Sequence, residues 1–533
     1  MIAYLVGIVG AFILFTIIGI IAGRSVKDTN DYYVAGRQAP TILIVGSLIA
    51  SFLSTGAFMG DAGEVYSGFF MGIVIVGILQ ASGYVYGANL FGKYIRRSRA
   101  NTMPEYFGKR FVSHRLRILS SITLMFAVTA YMLSAMQGVS TLMYSITGLP
   151  YKATVIIAWL SFTIFTVYSG SKGVLLTNTL MFMIFLSAAL IGIPYIVSAA
   201  GGWNVAITAL AKSTTRPGII AWTNNLDYLY PTGLHNLLWS VIYGIVWGIV
   251  VMVSPWQTSH YLMAKDEHTV QHSAIWASMG VITVTLALYF SSAFIYKINP
   301  NIDPASTNLI WAAMNIMPLA VGVLLLTGIL SAGISSASTF LTLIGSSVTN
   351  DLLAGRKTNN PEKDLKISRY GMAVVSIIVL ILAFFNPPQI FWIMYFGGTV
   401  IASSWGAVSL TSVWSKKISE TGAFLGMLFG FIGCAIPKTY SSLSGAVLPI
   451  YLDPFFIGIF SSVLGIVIGT KLKPATAEVV AEYELLHIRP ESEKDPARDR
   501  VTHNLKYVYL CFGLALGLFF VFCYALPYMR ALQ

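Results

Sequence analysis

Most of the groups in this chain that could do chemistry are uncharged oxygen donors set inside apolar sequence. Ala50-Ser-Phe-Leu-Ser-Thr-Gly-Ala-Phe-Met-Gly-Asp-Ala-Gly-Glu64 holds three glycines, three hydroxyls and two carboxylates. Ser331-Ala-Gly-Ile-Ser-Ser-Ala-Ser-Thr339 sets Ser335 beside Ser336, with Ser338 and Thr339 a turn further on. A third apolar run is interrupted by Gly244, Gly248 and Ser254-Pro255. A hard cation is held by several oxygens, and a hydroxyl pair facing the free carbonyls of a broken helix supplies them without burying negative charge. Simpler explanations exist for each stretch alone. Small residues let membrane helices approach closely, and helical serines usually bond back to the carbonyl of the preceding turn. Taken together, the three stretches favour a site. By contrast, nothing points to an enzyme: no nucleophile motif, phosphate loop or catalytic zinc pattern occurs. The seven histidines (His114, His235, His260, His268, His272, His487 and His503) fall near membrane edges or in connectors. His268 and His272 share an i, i+4 face that could hold a metal, but a capped helix start explains them as well.

The elements that must position these groups are membrane helices. Across 533 residues, 56% are hydrophobic and 10% charged, whereas soluble domains carry about 25% charged residues. Apolar stretches long enough to cross a hydrocarbon layer of roughly 30 Å fall at about 2–23, 41–68, 70–92, 118–147, 152–170, 176–199, 233–255, 271–296, 317–349, 368–386, 389–413, 421–437, 454–470 and 506–528. They are too long and too uniformly apolar for barrel strands, so the fold expected is an all-α polytopic membrane protein of about fourteen transmembrane helices. The first stretch lacks a basic leader and is read as a retained span. Cys434, Cys511 and Cys523 all lie in apolar runs and are expected to be buried, reduced thiols.

Of the 33 Lys and Arg residues, 27 fall in the connectors after odd-numbered spans. The other face keeps Lys152, Lys212, Arg216, Lys297, Lys438 and Arg530. The positive-inside rule then puts both termini outside and assigns the net charge of +12 to orientation, with no nucleic-acid partner. Residues 102–111, after span 3, form an amphipathic segment expected to anchor at the interface. The connector 471–505 is the one soluble stretch of any length and is expected to carry a surface helix.

Irregular backbone inside a span survives only where it faces protein or a watery cavity. The interrupted spans 2 and 7 are five spans apart, the spacing of a five-plus-five inverted repeat, and paired interrupted helices point to a transporter binding site. The expected organisation is an extra helix and loop at 1–40, a first repeat at 41–200, a connector at 201–232, a second repeat at 233–420 and extra helices at 421–533.

Separated motifs then resemble the sodium:solute symporter family, whose members have a LeuT-like core. They are Asp31-Tyr-Tyr-Val-Ala-Gly-Arg37, Thr102-Met-Pro-Glu-Tyr106, Thr166-Val-Tyr-Ser-Gly-Ser-Lys-Gly173, Ser254-Pro-Trp-Gln-Thr-Ser-His-Tyr-Leu-Met-Ala-Lys-Asp266 and the serine patch running on to Asp351. The resemblance covers about residues 29–420. It implies a sodium site of the Ala50, Leu53 and Ala332 carbonyls with the Ser335 and Ser336 hydroxyls. It implies solute contacts at Ser54, Thr55, Gly56, Trp247, Val251 and Pro255, with Gln80, Tyr131 and Gln137 as neighbours. Where some members bind a second sodium through an aspartate, this chain has Asn178, a neutral amide with one oxygen; this weakens a second sodium site, though Asn178, like Asp61, could still contact the ion or solute. Phe52 and Ser338 replace aspartates of the proline-transporting branch, which argues against a proline-type site.

Asp61 and Glu64 would each cost a few kcal/mol against lipid, so each must face water or a partner. Glu64 suits a solvated outer rim, and Asp61 could touch a cationic solute. No Arg or Lys lies mid-span in spans 2–9, which disfavours a multiply charged anion. The function expected is sodium-coupled import of a small organic solute, a monocarboxylate, pantothenate-like acid or amino acid, by alternating access in the cell membrane. The expected protein is a monomer with Na⁺ as coupling ion and no other cofactor. The alternatives are proton coupling, a solute sensor without net transport, and a channel, the last disfavoured because the polar residues cluster at one depth.

Overall fold

Lipid offers a backbone no outside hydrogen-bond partner, and the chain satisfies its own with helices. A computed structural model describes residues 2–23, 33–353, 361–385, 389–445 and 448–533. Asp31, Tyr32 and the side chains of 167–172, which belong to two of the motifs, lie outside the described residues. Among the described residues twelve helices are long and apolar enough to cross a membrane, or thirteen if one bent pair counts as a span. A shorter apolar stretch, Tyr151–Thr166, stands where span 5 is expected.

In chain order the helices are α1 (Ile2–Gly23), α2 (Thr41–Phe52), α3 (Gly56–Ser67), α4 (Phe70–Arg97), α5 (Met103–Arg110), α6 (His114–Thr147), α7 (Tyr151–Ala199) and α8 (Trp203–Ala211). The second half continues with α9 (Gly233–Val253), α10 (Pro255–Met263), α11 (Glu267–Ile298), α12 (Asn308–Asn315), α13 (Leu319–Leu352), α14 (Pro361–Phe385) and α15 (Ile390–Trp414). Outside these lie α16 (Glu420–Ser444), α17 (Pro454–Leu472), the expected surface helix α18 (Ala477–His487) and α19 (Pro496–Leu532).

Burial separates core from periphery. The most apolar window of α11 is 83% buried and that of α19 only 6%, so α19 is an outer helix that packs little of its circumference against the protein. On the Lys- and Arg-rich face, helix starts are closed by side chains that accept from orphan N–H groups: Thr102 from Glu105 N, Ser113 from Leu116 N, Asp266 from Thr269 N and Thr476 from Val479 N. Spans 2 and 3 divide where expected, at Gly68, whose φ of 119° turns the chain between α3 and α4.

Several expectations change. Helical backbone runs through 171–175, where a connector is expected between spans 5 and 6. That stretch contains no proline, so nothing there removes an N–H from the helical ladder. The segment 102–111 is no interfacial anchor. Met103, Pro104, Glu105, Tyr106, Phe107 and Arg110 of α5 are all buried. Arg110 donates to the carbonyls of Ser412, Val479 and Ser415, so its charge ties α15 and α18 to the bundle. Charged residues on one face give the same sequence pattern whether that face meets headgroups or internal carbonyls. Cys434 is buried, but Cys511 is exposed and Cys523 only partly covered, because both lie on the peripheral α19. Gly244 and Gly248 take the packing role: a Cβ on Gly244 would come within 2.7 Å of Leu79, and one on Gly248 within 3.3 Å of the Leu79 carbonyl oxygen. Conversely, a Cβ on Gly83 would come within 2.3 Å of the Gly248 carbonyl oxygen, so α4 and α9 meet backbone to backbone.

Candidate functional site

A helix that stops leaves its last carbonyls without N–H partners. At the end of α2, Leu53 leaves helical geometry with ψ 77°, and α3 departs at 48° to α2. Leu53 N still donates to Ile49 O (2.8 Å), and Ser54 N turns back to Phe52 O (2.8 Å). The carbonyls between them reach α13. Ser335 Oγ donates to Ala50 O at 2.8 Å and lies 3.1 Å from Ala332 O, while Ser336 Oγ lies 3.5 Å from Ser51 O. Ala50, Leu53, Ala332, Ser335 and Ser336 are all fully buried. Thus three neutral oxygens, the Ala50 and Ala332 carbonyls and the Ser335 hydroxyl, converge where two helices face each other, a donor set that suits a hard monovalent cation. The other hydroxyls of the patch bond back along α13: Ser331 to Thr327 O, Ser338 and Thr339 to Ser335 O, and Thr342 to Ser338 O.

Just beyond the break the half-helix α3 begins. Gly56 N donates to Ser54 Oγ (3.0 Å), Ser54 Oγ lies 3.5 Å from Tyr131 Oη, and Thr55 Oγ1 lies 3.4 Å from Ala135 O. Tyr131 is the hub of an aromatic cluster, with ring centroids 4.7 Å from Phe340, 5.3 Å from Trp256 and 6.3 Å from Trp247. At Gly56 an added Cβ would meet Met394 Sδ and, at 2.9 Å, Ser54 Oγ, so a larger residue there would push both side chains aside. The structure therefore brings Ser54, Thr55, Gly56, Tyr131 and Trp247 together. Val251 packs against Gly83 on α4, one turn from the buried Gln80. Gln137 is drawn elsewhere, its Oε1 accepting from Gln389 N at 3.1 Å. Pro255 borders a separate small cavity of about 30 Å³ that Ser47, Ser259, His260 and Thr339 also line.

Asn178 faces that cavity's polar wall. Its Nδ2 reaches Thr339 Oγ1 (3.2 Å) and Ser47 Oγ (3.3 Å), and Ser47 Oγ bonds His260 Nε2 at 2.8 Å. His260 is 2% exposed, so it is a core group and not an edge residue as the sequence suggests. His268 and His272 both bond the Thr502 hydroxyl. Asp61 is buried and accepts from Tyr289 Oη at 2.7 Å. Glu64 is half-buried, accepts from Tyr228 Oη and lines an outer cavity of about 200 Å³ with Gln389 and Trp392.

The far end of α13 is pinned on the Lys- and Arg-rich face. Asp351 accepts from Thr102 Oγ1 (2.8 Å) and Arg117 Nε (2.8 Å), and Asn350 Nδ2 donates to Glu105 (2.8 Å). Burial pushes the Glu105 carboxyl up, but Lys109, Asn350 and the Asn101 N–H outweigh it and hold the group below the usual range.

Sequence reasoning missed Tyr289, Phe340, Trp256 and Met394. Only the strength of the demand was visible: a buried carboxylate at 61 needs a donor, and a solute chamber needs walls.

Two facing interrupted helices, α2/α3 and α9/α10, wrapped by long helices make a transporter core of the LeuT-like kind. The chain belongs to the sodium:solute symporter family, whose model matches residues 32–430. It is 22% identical over 456 residues to the sodium/pantothenate symporter of Escherichia coli (strain K12), covering 84% of this chain and 92% of that one. It is 24% identical over 488 residues to the sodium/proline symporter of Salmonella typhimurium, covering 87% and 92%. In fold it is similar to a Na⁺-coupled sialic acid symporter solved in a substrate-bound outward-open state, with TM-score 0.75, 17% identity and coverage of 89% and 98%. The nucleobase-cation-symport-1 family transporter Mhp1 gives TM-score 0.54 at 12% identity, with coverage of 85% and 98%.

Proposed function

We propose that the chain couples inward movement of Na⁺ to uptake of a small carboxylate-bearing solute, with the cation held by the Ala50, Leu53 and Ala332 carbonyls and the Ser335 and Ser336 hydroxyls. The position of Ser335 Oγ, 2.8 Å from Ala50 O on one helix and 3.1 Å from Ala332 O on the other, carries this reading. The family is one of sodium:solute symporters, and both relatives named above are sodium symporters.

The Ser335 hydroxyl now spends its proton on Ala50 O. With Na⁺ present it would turn a lone pair to the ion, which would bridge α2 to α13 and hold the outward-open arrangement. Loss of the ion to the cell interior would release α2 and, with it, the solute. One Na⁺ crossing about 100 mV gives about 2.3 kcal/mol, and a tenfold concentration ratio adds about 1.4 kcal/mol. Together these sustain a gradient of roughly 500-fold for a neutral solute carried one to one.

The solute chamber proposed is bounded by Ser54, Thr55, Gly56, Tyr131, Trp247 and Val251. A carboxylate suits it because the N-terminal end of α3 presents a positive dipole end next to neutral hydroxyls. The apolar rings of Tyr131, Trp247, Trp256 and Phe340 would cover the solute body. Asn178 is assigned a polar structural contact and no second sodium. The proposed orientation sets the Lys- and Arg-rich face in the cytoplasm and both termini outside, in the cell membrane, with a single chain as the working unit.

The test is uptake of labelled solutes into proteoliposomes with and without an inward sodium gradient. Sodium-dependent accumulation of a monocarboxylate, pantothenate-like acid or amino acid is expected. Sodium-independent uptake collapsed by a protonophore would overturn the ion assignment.

A further inference from the structure

At the Lys- and Arg-rich ends of α4, α11 and α19 lies a cavity of about 450 Å³ that the transport reading does not use. Its lining includes four cations, Lys93, Arg97, Arg489 and Lys506, against two carboxylates, Glu267 and Asp499. Arg97 is committed to Glu267, and Arg489 holds Asp499 with two bonds of 2.8 and 2.9 Å. The two lysines are not committed. Among the described residues neither has a carboxylate within ion-pair distance: Lys93 sits 5.1 Å from the Tyr94 ring, while Lys506 meets His503 and the Tyr507 ring. Arg489 Nε is buried and turned to Glu267, 3.7 Å from its Oε2, so Arg489 is committed to carboxylates on both sides. Two ammonium groups without a carboxylate partner therefore border a space large enough for a group of several atoms.

The surroundings decide what kind of anion fits. The cavity's remaining walls include Val85, Ile275 and Tyr509, apolar bodies on the membrane-crossing parts of the same three helices. Beyond Tyr509, α19 turns exposed Leu510, Leu514 and Leu518 outward. Cation-lined space thus sits where three spans leave the hydrocarbon, beside a helix lipid surrounds, which is the setting of a phospholipid headgroup. We propose that this seam binds the phosphate of an anionic membrane lipid, with Lys93 and Lys506 as its charge partners and its acyl chains along the outer face of α19. A soluble phosphate shares the charge chemistry but gains nothing from the apolar wall.

The experiment uses the full chain in neutral detergent, titrated with phosphatidylglycerol or phosphatidylcholine, with bound lipid counted by native mass spectrometry. Phosphatidylglycerol is expected to bind about tenfold more tightly than phosphatidylcholine. Joint Lys93→Gln and Lys506→Gln substitution should erase that preference, while Lys212→Gln and Lys438→Gln on the opposite face leave it intact. Lys506→Gln alone, at an exposed side chain, should keep the unfolding midpoint and still weaken phosphatidylglycerol binding severalfold. Equal binding of the two lipids, or a preference untouched by the lysine substitutions, would overturn the site. Displacement of phosphatidylglycerol by excess inorganic phosphate would replace the lipid with a soluble anion and overturn the lipid assignment.

Discussion

The two interrupted helices differ in what breaks them. Between α9 and α10 the gap is one residue wide: Ser254 N still donates to Val250 O at 2.8 Å, and Thr258 N returns to Ser254 O at 2.9 Å. Pro255 has no N–H with which to continue the ladder, so this break is written into the covalent chain. Between α2 and α3 no proline occurs from 41 to 67. Here the freed Ala50 and Ser51 carbonyls are received by hydroxyls 285 positions away. One break is therefore permanent, and the other depends on a neighbouring helix. A coupling ion can act only on the second kind, because only there can it add to or replace a contact that the backbone lacks.

The largest effect should come from removing the hydroxyls that receive the α2 carbonyls. Joint Ser335→Ala and Ser336→Ala substitution should raise the sodium concentration for half-maximal uptake at least about tenfold, or about 1.4 kcal/mol. Unchanged sodium dependence in proteoliposomes would detach the α2 break from the ion. Tyr131→Ala should raise the solute KM by about tenfold through loss of ring contacts, whereas Tyr131→Phe should stay within about threefold because its hydroxyl lies 3.5 Å from Ser54. A larger effect from the Phe variant would make that hydroxyl a solute ligand. Pro255→Ala restores the missing N–H; it should raise solute KM several-fold while leaving half-saturating sodium alone, so a sodium shift would mean that the two breaks are not separable.

Tyr289→Phe leaves Asp61 without its donor and should cost about 1–3 kcal/mol of stability, read as a lower unfolding midpoint, with sodium dependence retained. The smallest effect concerns the pinned end of α13. Glu105 has its pKa held below the unfolded value of about 4.3, so its contribution is present above that value and is lost as pH falls through the folded pKa. Below about pH 4 the unfolding midpoint should decline less steeply in Glu105→Gln than in the unsubstituted chain. An equal decline in the variant would assign acid sensitivity elsewhere.

Much of the core was legible because lipid makes polarity conspicuous. Gly56, Ser54 and Thr55 stand out in an apolar run, and so does the Ser335–Ser336 pair; each alone fits close packing or back-bonding, and it is their combination that marks a site. What stayed hidden depends on contacts between distant positions. Asp61 and Tyr289 are 228 residues apart, and no spacing rule joins them. His260 looks like an edge residue beside Lys265, yet the short helix α10 carries it inward to Ser47. The amphipathic pattern of 102–111 was visible, but not whether its charged side would meet headgroups or the Ser412 and Val479 carbonyls.

The contact of Gly83 with Gly248 also constrains how the molecule can move. No atom fits between α4 and α9 there, and these helices come from different halves of the chain. They cannot part without opening a void in lipid, nor slide without driving Val251 into the opposing backbone. The pair is thus expected to move together. Whatever travel a working cycle needs is then taken up along hydroxyl-bonded seams such as α2 against α13, where parting costs exchangeable hydrogen bonds and not close packing.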